Sequence, residues 1–220
     1  MKNLNFLKSN LIAHRGIHNS TTIENTLKSF LNAVEKKYII ELDVHMLKDK
    51  TIIVYHDFNL KRLIGINRII ETLSYEELSK YKIKNKYYVP TLKQVLNIVS
   101  GKVPILIEIK DLNNNSAFER ELASILDNYN GDYAIQSVNP YVIDWFCKNR
   151  KNYVVGLIVL NKVNYKLLKK YIKKVDFIAI NKSCLPLKSN KIIIGWTIKT
   201  LDELYKFACI SDNLICEKIL

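Results

Sequence analysis

Two carboxylates, Glu41 and Asp43, interrupt the apolar run IIELDV and share the parity of one strand face. A third, Glu108, sits in a second apolar run, PILIEIK, two residues before Lys110. A buried, unpaired carboxylate is costly, so something positive must meet these groups. Three carboxylates converging on one place raise each other's pKa unless a cation neutralises them. An oxygen-only cluster suits one hard divalent cation, Mg²⁺ or Ca²⁺. The alternative for the same residues is an ion-pair network, Glu41 or Glu108 with Lys110 or Arg15. Two histidines accompany the acids: His14, followed by Arg15 and Gly16, and His56, followed by Asp57. Imidazoles with an ordinary pKa of roughly 6.5 suit a general base and a general acid at neutral pH. His18 and His45 are expected in structural or rim roles.

Bringing these residues together needs a scaffold. Short apolar runs alternate with stretches of helical period. The runs are LIAH, IIELDV, PILIEIK, YAIQS, YVVGLIV, DFIAI, KIIIGWTI and NLIC. Eight strands separated by helices predict an α/β fold, a closed parallel (β/α)8 TIM-type barrel. In a barrel alternate side chains face inward. That parity sends Glu41, Asp43, Glu108 and Lys110 to the interior near strand C-termini, where barrel enzymes place their sites. TIIVYHD cannot be a parallel neighbour of IIELDV, because the link of about six residues is half the dozen or so that a parallel crossover requires. It is expected to return as a hairpin that carries His56 to the barrel mouth. The reading is one domain over residues 1–220, with a short insertion at about 57–90 after the second barrel strand and a helix from near Ser74.

Helix starts are signposted. Thr21 with Glu24, Thr91 with Gln94, Ser116 with Glu119 and Thr200 with Glu203 have capping-box spacing. Asn139 and Pro140 form an N-cap and N1 pair. Leu27, Phe30, Leu31 and Val34 recur with helical period.

Composition narrows the function classes. The chain is 48% hydrophobic, enough for a sizeable core. No apolar run approaches the roughly 18 to 20 residues of a membrane helix, and the N-terminal stretch lacks a signal-peptide core. The expected location is cytoplasmic. The four cysteines show neither CxxC nor zinc-finger spacing. The net charge is +13, but only five of the 34 basic residues are arginine. Phosphate and nucleic-acid grips favour the arginine fork, so a non-enzymatic nucleic-acid binder is the weak reading and no nucleic-acid partner is expected. The basic excess still favours anionic substrates and peripheral contact with an anionic membrane.

AHRG, ENT, ELDVHMLKD, VYHDFNLKR, PTLKQVL, IEIK, IQS and GWTI occur in that order. As a set over roughly residues 12 to 200 they resemble the glycerophosphodiester phosphodiesterase family. The resemblance implies a cation-dependent phosphodiesterase that cleaves a small glycerophosphodiester into glycerol 3-phosphate and an alcohol. It implies His14 and His56 as the paired histidines, Glu41, Asp43 and Glu108 as metal ligands, Arg15 and Lys110 as phosphate contacts, and Trp196 near the substrate alcohol. Glu24 and Asn25 fall on its ENT motif and are expected to support the loop after His14. The chain departs from the family with Ile23 before ENT, Lys199 after the W-T motif and LICEK at the last strand. An alternative substrate is a membrane phospholipid or a glycerol-phosphate polymer.

Overall fold

The computed structural model describes residues 2–111 and 113–219, and all their side chains except those of Asn164 and Tyr165. Eight parallel strands close into a barrel: β1 (Ile12–Ala13), β2 (Ile39–Met46), β4 (Ile105–Ile109), β5 (Tyr133–Ser137), β6 (Val154–Val159), β7 (Phe177–Asn181), β8 (Ile192–Ile198) and β9 (Asn213–Cys216). β1 pairs with both β2 and β9, which shuts the ring. The remaining strand, β3 (Ile52–Val54), runs antiparallel to β2 with Val44 opposite Val54 and Met46 opposite Ile52. It is the hairpin arm that the short link requires.

Strand parity divides the core in two. Ile40, Leu42, Val44, Ile105, Ile107 and Ile109 pack outward against the helices α1 (Leu27–Glu35), α4 (Leu92–Val99), α5 (Ala117–Leu126) and α6 (Pro140–Asn149). Ile39, Leu106, Ala134, Val154, Phe177 and Ile194 fill the barrel interior. A 3₁₀ turn at Asn5–Lys8 adds Phe6 and Leu7 to that inner cluster. The side chain of Asn213 on β9 donates to the carbonyls of Leu7 and Asn10, at 2.6 and 2.8 Å. The N-terminal segment thus packs into the interior, a role its short apolar stretch did not announce.

Between β3 and α4 the chain makes an excursion with α2 (Lys61–Ile64) and α3 (Tyr75–Leu78). It buries its own cluster, which includes Tyr55, Leu60, Leu63, Ile70, Leu73 and Leu78. His45 is fully buried beneath it, with Nδ1 3.1 Å from Glu71 Oε1 and Nε2 3.3 Å from the His56 carbonyl. Its role is to fasten the excursion to β2.

The caps fall partly elsewhere than expected. Thr91 with Gln94 forms the predicted box, and Asn139 caps α6 ahead of Pro140. Thr200 accepts from Glu203 N at the start of α8 (Leu201–Ala208), but the Glu203 carboxylate turns to Lys182 and to Lys199 N. The first box is made by Thr26 and Ser29, not by Thr21 and Glu24, because Glu24 is taken by two arginines. Ser116 adopts φ 62° and makes no cap; Asn115 Oδ1 accepts the Ala117 amide instead. On α1 the buried positions are Ser29, Phe30 and Ala33, while Leu31 is exposed, so the stripe is rotated from the one its apolar residues trace. After β6 the helix α7 (Tyr165–Tyr171) buries Leu168 and Tyr171, with Val175 just beyond it. The link between β7 and β8 holds a 3₁₀ turn at Lys182–Cys184 and no α-helix. Its segment carries Pro186 and lacks a sustained apolar period.

Gly156 on β6 has a specific packing reason. A Cβ there would lie 2.1 Å from Cζ of the fully buried Phe177 ring. Gly156→Ala should therefore overpack the interior and destabilise by about 1–3 kcal/mol in urea titrations, as overpacked cores do. An unchanged midpoint would show that the ring yields freely.

Candidate active site

The turn after β1 positions the first group of residues. Arg15 has φ 57° and Gly16 φ 76°, so the chain reverses abruptly. A Cβ on Gly16 would meet the backbone of Ser29 at 2.8 Å, which makes glycine the residue that lets this turn dock on α1. The Arg15 carbonyl then accepts from the Asn25 amide at 3.0 Å and from the Ser29 hydroxyl at 3.1 Å. Its amide donates to Glu41 Oε2 at 3.0 Å. The H-R-G sequence folds Arg15 back over the end of β2.

The three acids do converge. Carboxylate oxygens of Glu41, Asp43 and Glu108 lie within 4.8 Å of one another. The parallel register that places Asp43 beside Glu108 creates this proximity. Lys110 Nζ sits 3.1 Å from Asp43 and 2.5 Å from Glu108, and Arg15 Nε is 3.4 Å from Asp43. Asn25 donates to Asp43 at 2.9 Å. Both sequence-stated alternatives therefore meet here: the ion pairs exist, and the carboxylates still outnumber the cations that face them.

Electrostatics divides the trio. Burial would raise the Asp43 pKa, but Lys110, Arg15, His56 and the Asn25 amide outweigh it and hold the carboxyl far below its ordinary value. Burial, with Asp43 and Glu108 beside it, holds Glu41 well above its ordinary value. Burial also raises Glu108, against the pull of Lys110. Burial tends to lower the pKa of Lys110 and of Arg15, and the surrounding carboxylates more than reverse it in both. Two cations cannot balance three carboxylates, two of them buried and Glu108 half-buried, and the donor set is all oxygen. These residues fit a hard divalent cation, which would favour the ionised form of Glu41.

The two histidines face the same cleft, of about 440 Å³, which Glu41, Glu108, Arg15 and Lys110 also line. His56 Nδ1 lies 2.6 Å from Asp57 Oδ1, and His14 Nδ1 lies 2.9 Å from Glu217 Oε2. A carboxylate on Nδ1 fixes that nitrogen as the donor, so Nε2 of each ring is left for proton transfer. Burial lowers the His56 pKa, partly offset by Asp43. Behind His56, Arg62 bonds both Asp57, at 2.6 Å, and Glu24, at 2.7 Å, and Glu24 also meets Arg15 at 2.7 Å. Despite its burial, these two arginines hold Glu24 below its ordinary pKa.

Trp196 lines the cleft, and its indole N–H is buried with no partner among the described residues. Gln136 of the IQS motif is nearly inaccessible, and its Oε1 is also unpaired. Ile158, Leu160, Ala179 and Ile215 are the apolar part of the cleft wall. Lys199 stands at the rim, 3.7 Å from Glu217. Sequence reasoning missed Glu217, Arg62 and Gln136. Glu217 was readable only as part of the LICEK departure at the last strand, and the structure uses its carboxylate to hold His14. His18 lies beside this pair but does not line the cleft.

The sequence profile of the glycerophosphoryl diester phosphodiesterase family matches residues 14–184. Human lysophospholipase D GDPD1 is 29% identical over 226 residues, 95% of this chain and 71% of that protein. The glycerophosphodiester phosphodiesterase of Caldanaerobacter subterraneus subsp. tengcongensis is 29% identical over 164 residues, covering 69% of this chain and 67% of its own length. An Oleispira antarctica phosphodiesterase, solved in complex with the product sn-glycerol-3-phosphate, superposes with a TM-score of 0.83 at 17% identity, over 96% of this chain and 93% of that one. A Thermotoga maritima glycerophosphodiester phosphodiesterase superposes with a TM-score of 0.78 at 23% identity, over 94% of each. At these identities the structural likeness is one of fold. The profile match takes in both cleft histidines, all three carboxylates, Arg15 and Lys110, and with it this chain belongs to the glycerophosphoryl diester phosphodiesterase family of hydrolases.

Proposed function

We propose that this chain hydrolyses a glycerophosphodiester to glycerol 3-phosphate and an alcohol. The observation that carries the reading is the arrangement around one cleft: three carboxylates, two carboxylate-held histidines, and the cations Arg15 and Lys110. A divalent cation held by Glu41, Asp43 and Glu108, Mg²⁺ or Ca²⁺ by its all-oxygen donors, would supply Lewis-acid stabilisation of charge on the phosphoryl group. Arg15 and Lys110 offset negative charge growing on the phosphoryl oxygens. One histidine takes the proton of the nucleophile, either water or a neighbouring substrate hydroxyl, and the other protonates the leaving alkoxide. Asp57 and Glu217 keep each ring turned toward the cleft. Trp196, whose buried indole N–H has no partner among the described residues, lines the same cleft and would lie near the substrate alcohol.

A second reading changes the substrate within the same site. The apolar wall of Ile158, Leu160, Ala179 and Ile215 would accept an acyl chain, and Leu160 is exposed at its edge. The human relative is named a lysophospholipase D. A lysophospholipid would thus compete with small headgroup diesters, and the basic surface would assist at an anionic membrane. Kinetics on glycerophosphocholine against lysophosphatidylcholine separate the two. If the acylated diester is the substrate, Leu160→Asp should lower its kcat/KM by about 10-fold or more and spare the headgroup diester. Equal losses on both would remove the lipid reading.

Cation binding has a readout besides activity. In the cation-free protein the raised Glu41 pKa means that the folded state holds a proton more tightly than the unfolded chain. Stability from this group therefore falls as pH rises above the unfolded carboxylate value and through the raised native one. Mg²⁺ or Ca²⁺ should raise the melting temperature at neutral pH, and chelation should reverse the rise and abolish hydrolysis. Glu41→Gln should be no less stable than the cation-free wild type and should lose the cation response. Full activity after exhaustive chelation would sink the assignment.

His14→Ala and His56→Ala should each lower kcat by about 10²-fold or more, with folding and cation binding nearly intact. The double variant should lose less than the product of the two single losses, because groups acting as a unit are not additive. The pH profile of kcat/KM should be bell-shaped. Wild-type turnover by a folded His56→Ala enzyme would leave Arg15, Lys110 and the cation to carry the reaction.

A further inference from the structure

His18 has no place in the machinery described above, yet its Nε2 is buried and without a hydrogen-bond partner among the described residues. The residue stands beside a pair that is already formed, His14 and Glu217. Ligand atoms of His14, His18 and Glu217 all lie within 4.8 Å of one another. The donors are two imidazole nitrogens and one carboxylate oxygen, unlike the oxygen-only trio on β2 and β4. Nitrogen-rich sites favour late first-row cations over Mg²⁺ and Ca²⁺. We propose that His14, His18 and Glu217 form a second, inhibitory cation site, selective for Zn²⁺ or a cation of similar softness.

The geometry is close to what such an ion needs. Tetrahedral zinc, with bonds of about 2.0–2.2 Å, sets its ligands roughly 3.3–3.6 Å apart. His14 and Glu217 are already 2.9 Å apart, and His18 brings a third ligand nitrogen within 4.8 Å of both. Three protein ligands leave the fourth position for water. Glu217 supplies the anionic oxygen beside the two imidazoles. Lys199, the competing cation, is half exposed and 3.7 Å away, free to turn into water when the ion arrives.

The inhibition follows from the tautomer, and this step rests on the proton-transfer role proposed for His14. With Nδ1–H donated to Glu217, Nε2 carries a lone pair. An ion on Nδ1 takes that nitrogen's lone pair, so the one remaining ring proton resides on Nε2. As a base the ring then accepts no proton from the cleft, and as an acid its Nε2–H is far weaker than that of the imidazolium it replaces.

The test uses the full chain in saturating Mg²⁺, with Zn²⁺ titrated against a chromophoric chelator. Wild type should bind one Zn²⁺ that Mg²⁺ does not displace. His18→Gln, and independently His18→Asn, should weaken it by about 10-fold or more, at least what the loss of a supporting contact costs a metal site. Hydrolysis by wild type should fall as that site fills. Both His18 variants should keep the basal rate and lose the inhibition. Zinc affinity unchanged in both variants, zinc displaced by Mg²⁺, or a filled site with undiminished hydrolysis would each overturn the proposal. A protein that binds zinc in this way but cleaves no diester would count against the proposed reaction and leave the metal site standing.

Discussion

The excess of negative charge gathered by Glu41 and Asp43 of β2 and Glu108 of β4 is the constraint around which the mouth is organised. Glu41, Asp43 and Glu108 cannot be accommodated there by packing alone, since desolvation of a carboxylate costs several kcal/mol unless it is compensated. Every nearby feature answers that cost. The left-handed turn at Arg15 and Gly16 brings a backbone N–H to Glu41 and a guanidinium to Asp43. Lys110, one strand step beyond Glu108, closes on two of the acids. Asn25 turns its amide to Asp43, and its own backbone holds the Arg15 turn in place. What these groups leave uncompensated falls mainly on Glu41, the member whose proton affinity is raised most by burial and by its neighbours.

A second tier of charges supports the first. Arg62 reaches from the excursion to Asp57 and Glu24, so a residue outside the barrel proper orients His56 and steadies Arg15. His45 does the complementary work below, fixing Glu71 and the His56 carbonyl in a fully buried position. The excursion is therefore part of the rim and not an appendage to it.

The sequence was most legible where one local rule decided the outcome. Strand parity placed Glu41, Asp43 and Glu108 inside, and the length of one link ruled out a parallel β3. It was least legible where partners are far apart in the chain. Glu217 is 203 residues from His14, and Arg62 is 38 from Glu24. No spacing rule reaches that far. Local signals also failed where a stronger partner competed. Thr21 and Glu24 have capping-box spacing, but Arg15 and Arg62 draw Glu24 away. Ser116 has the right type for an N-cap and the wrong backbone angle. The N-terminal turn that fills part of the barrel interior carries too few residues to show a period.

The contact between His14 and Glu217 joins the first barrel strand to the last. During synthesis the carboxylate that orients His14 emerges only after all eight barrel strands have been made. β1 can pair with β2 early, but β9 must arrive before the ring closes and before the His14 ring is held. Domains acquire their structure as the chain emerges, and contacts between distant residues form late because loop closure must come first. A nascent chain would therefore carry the assembled carboxylates of β2 and β4 well before it carries an oriented His14. Completion of the barrel and orientation of the His14 ring would be one event.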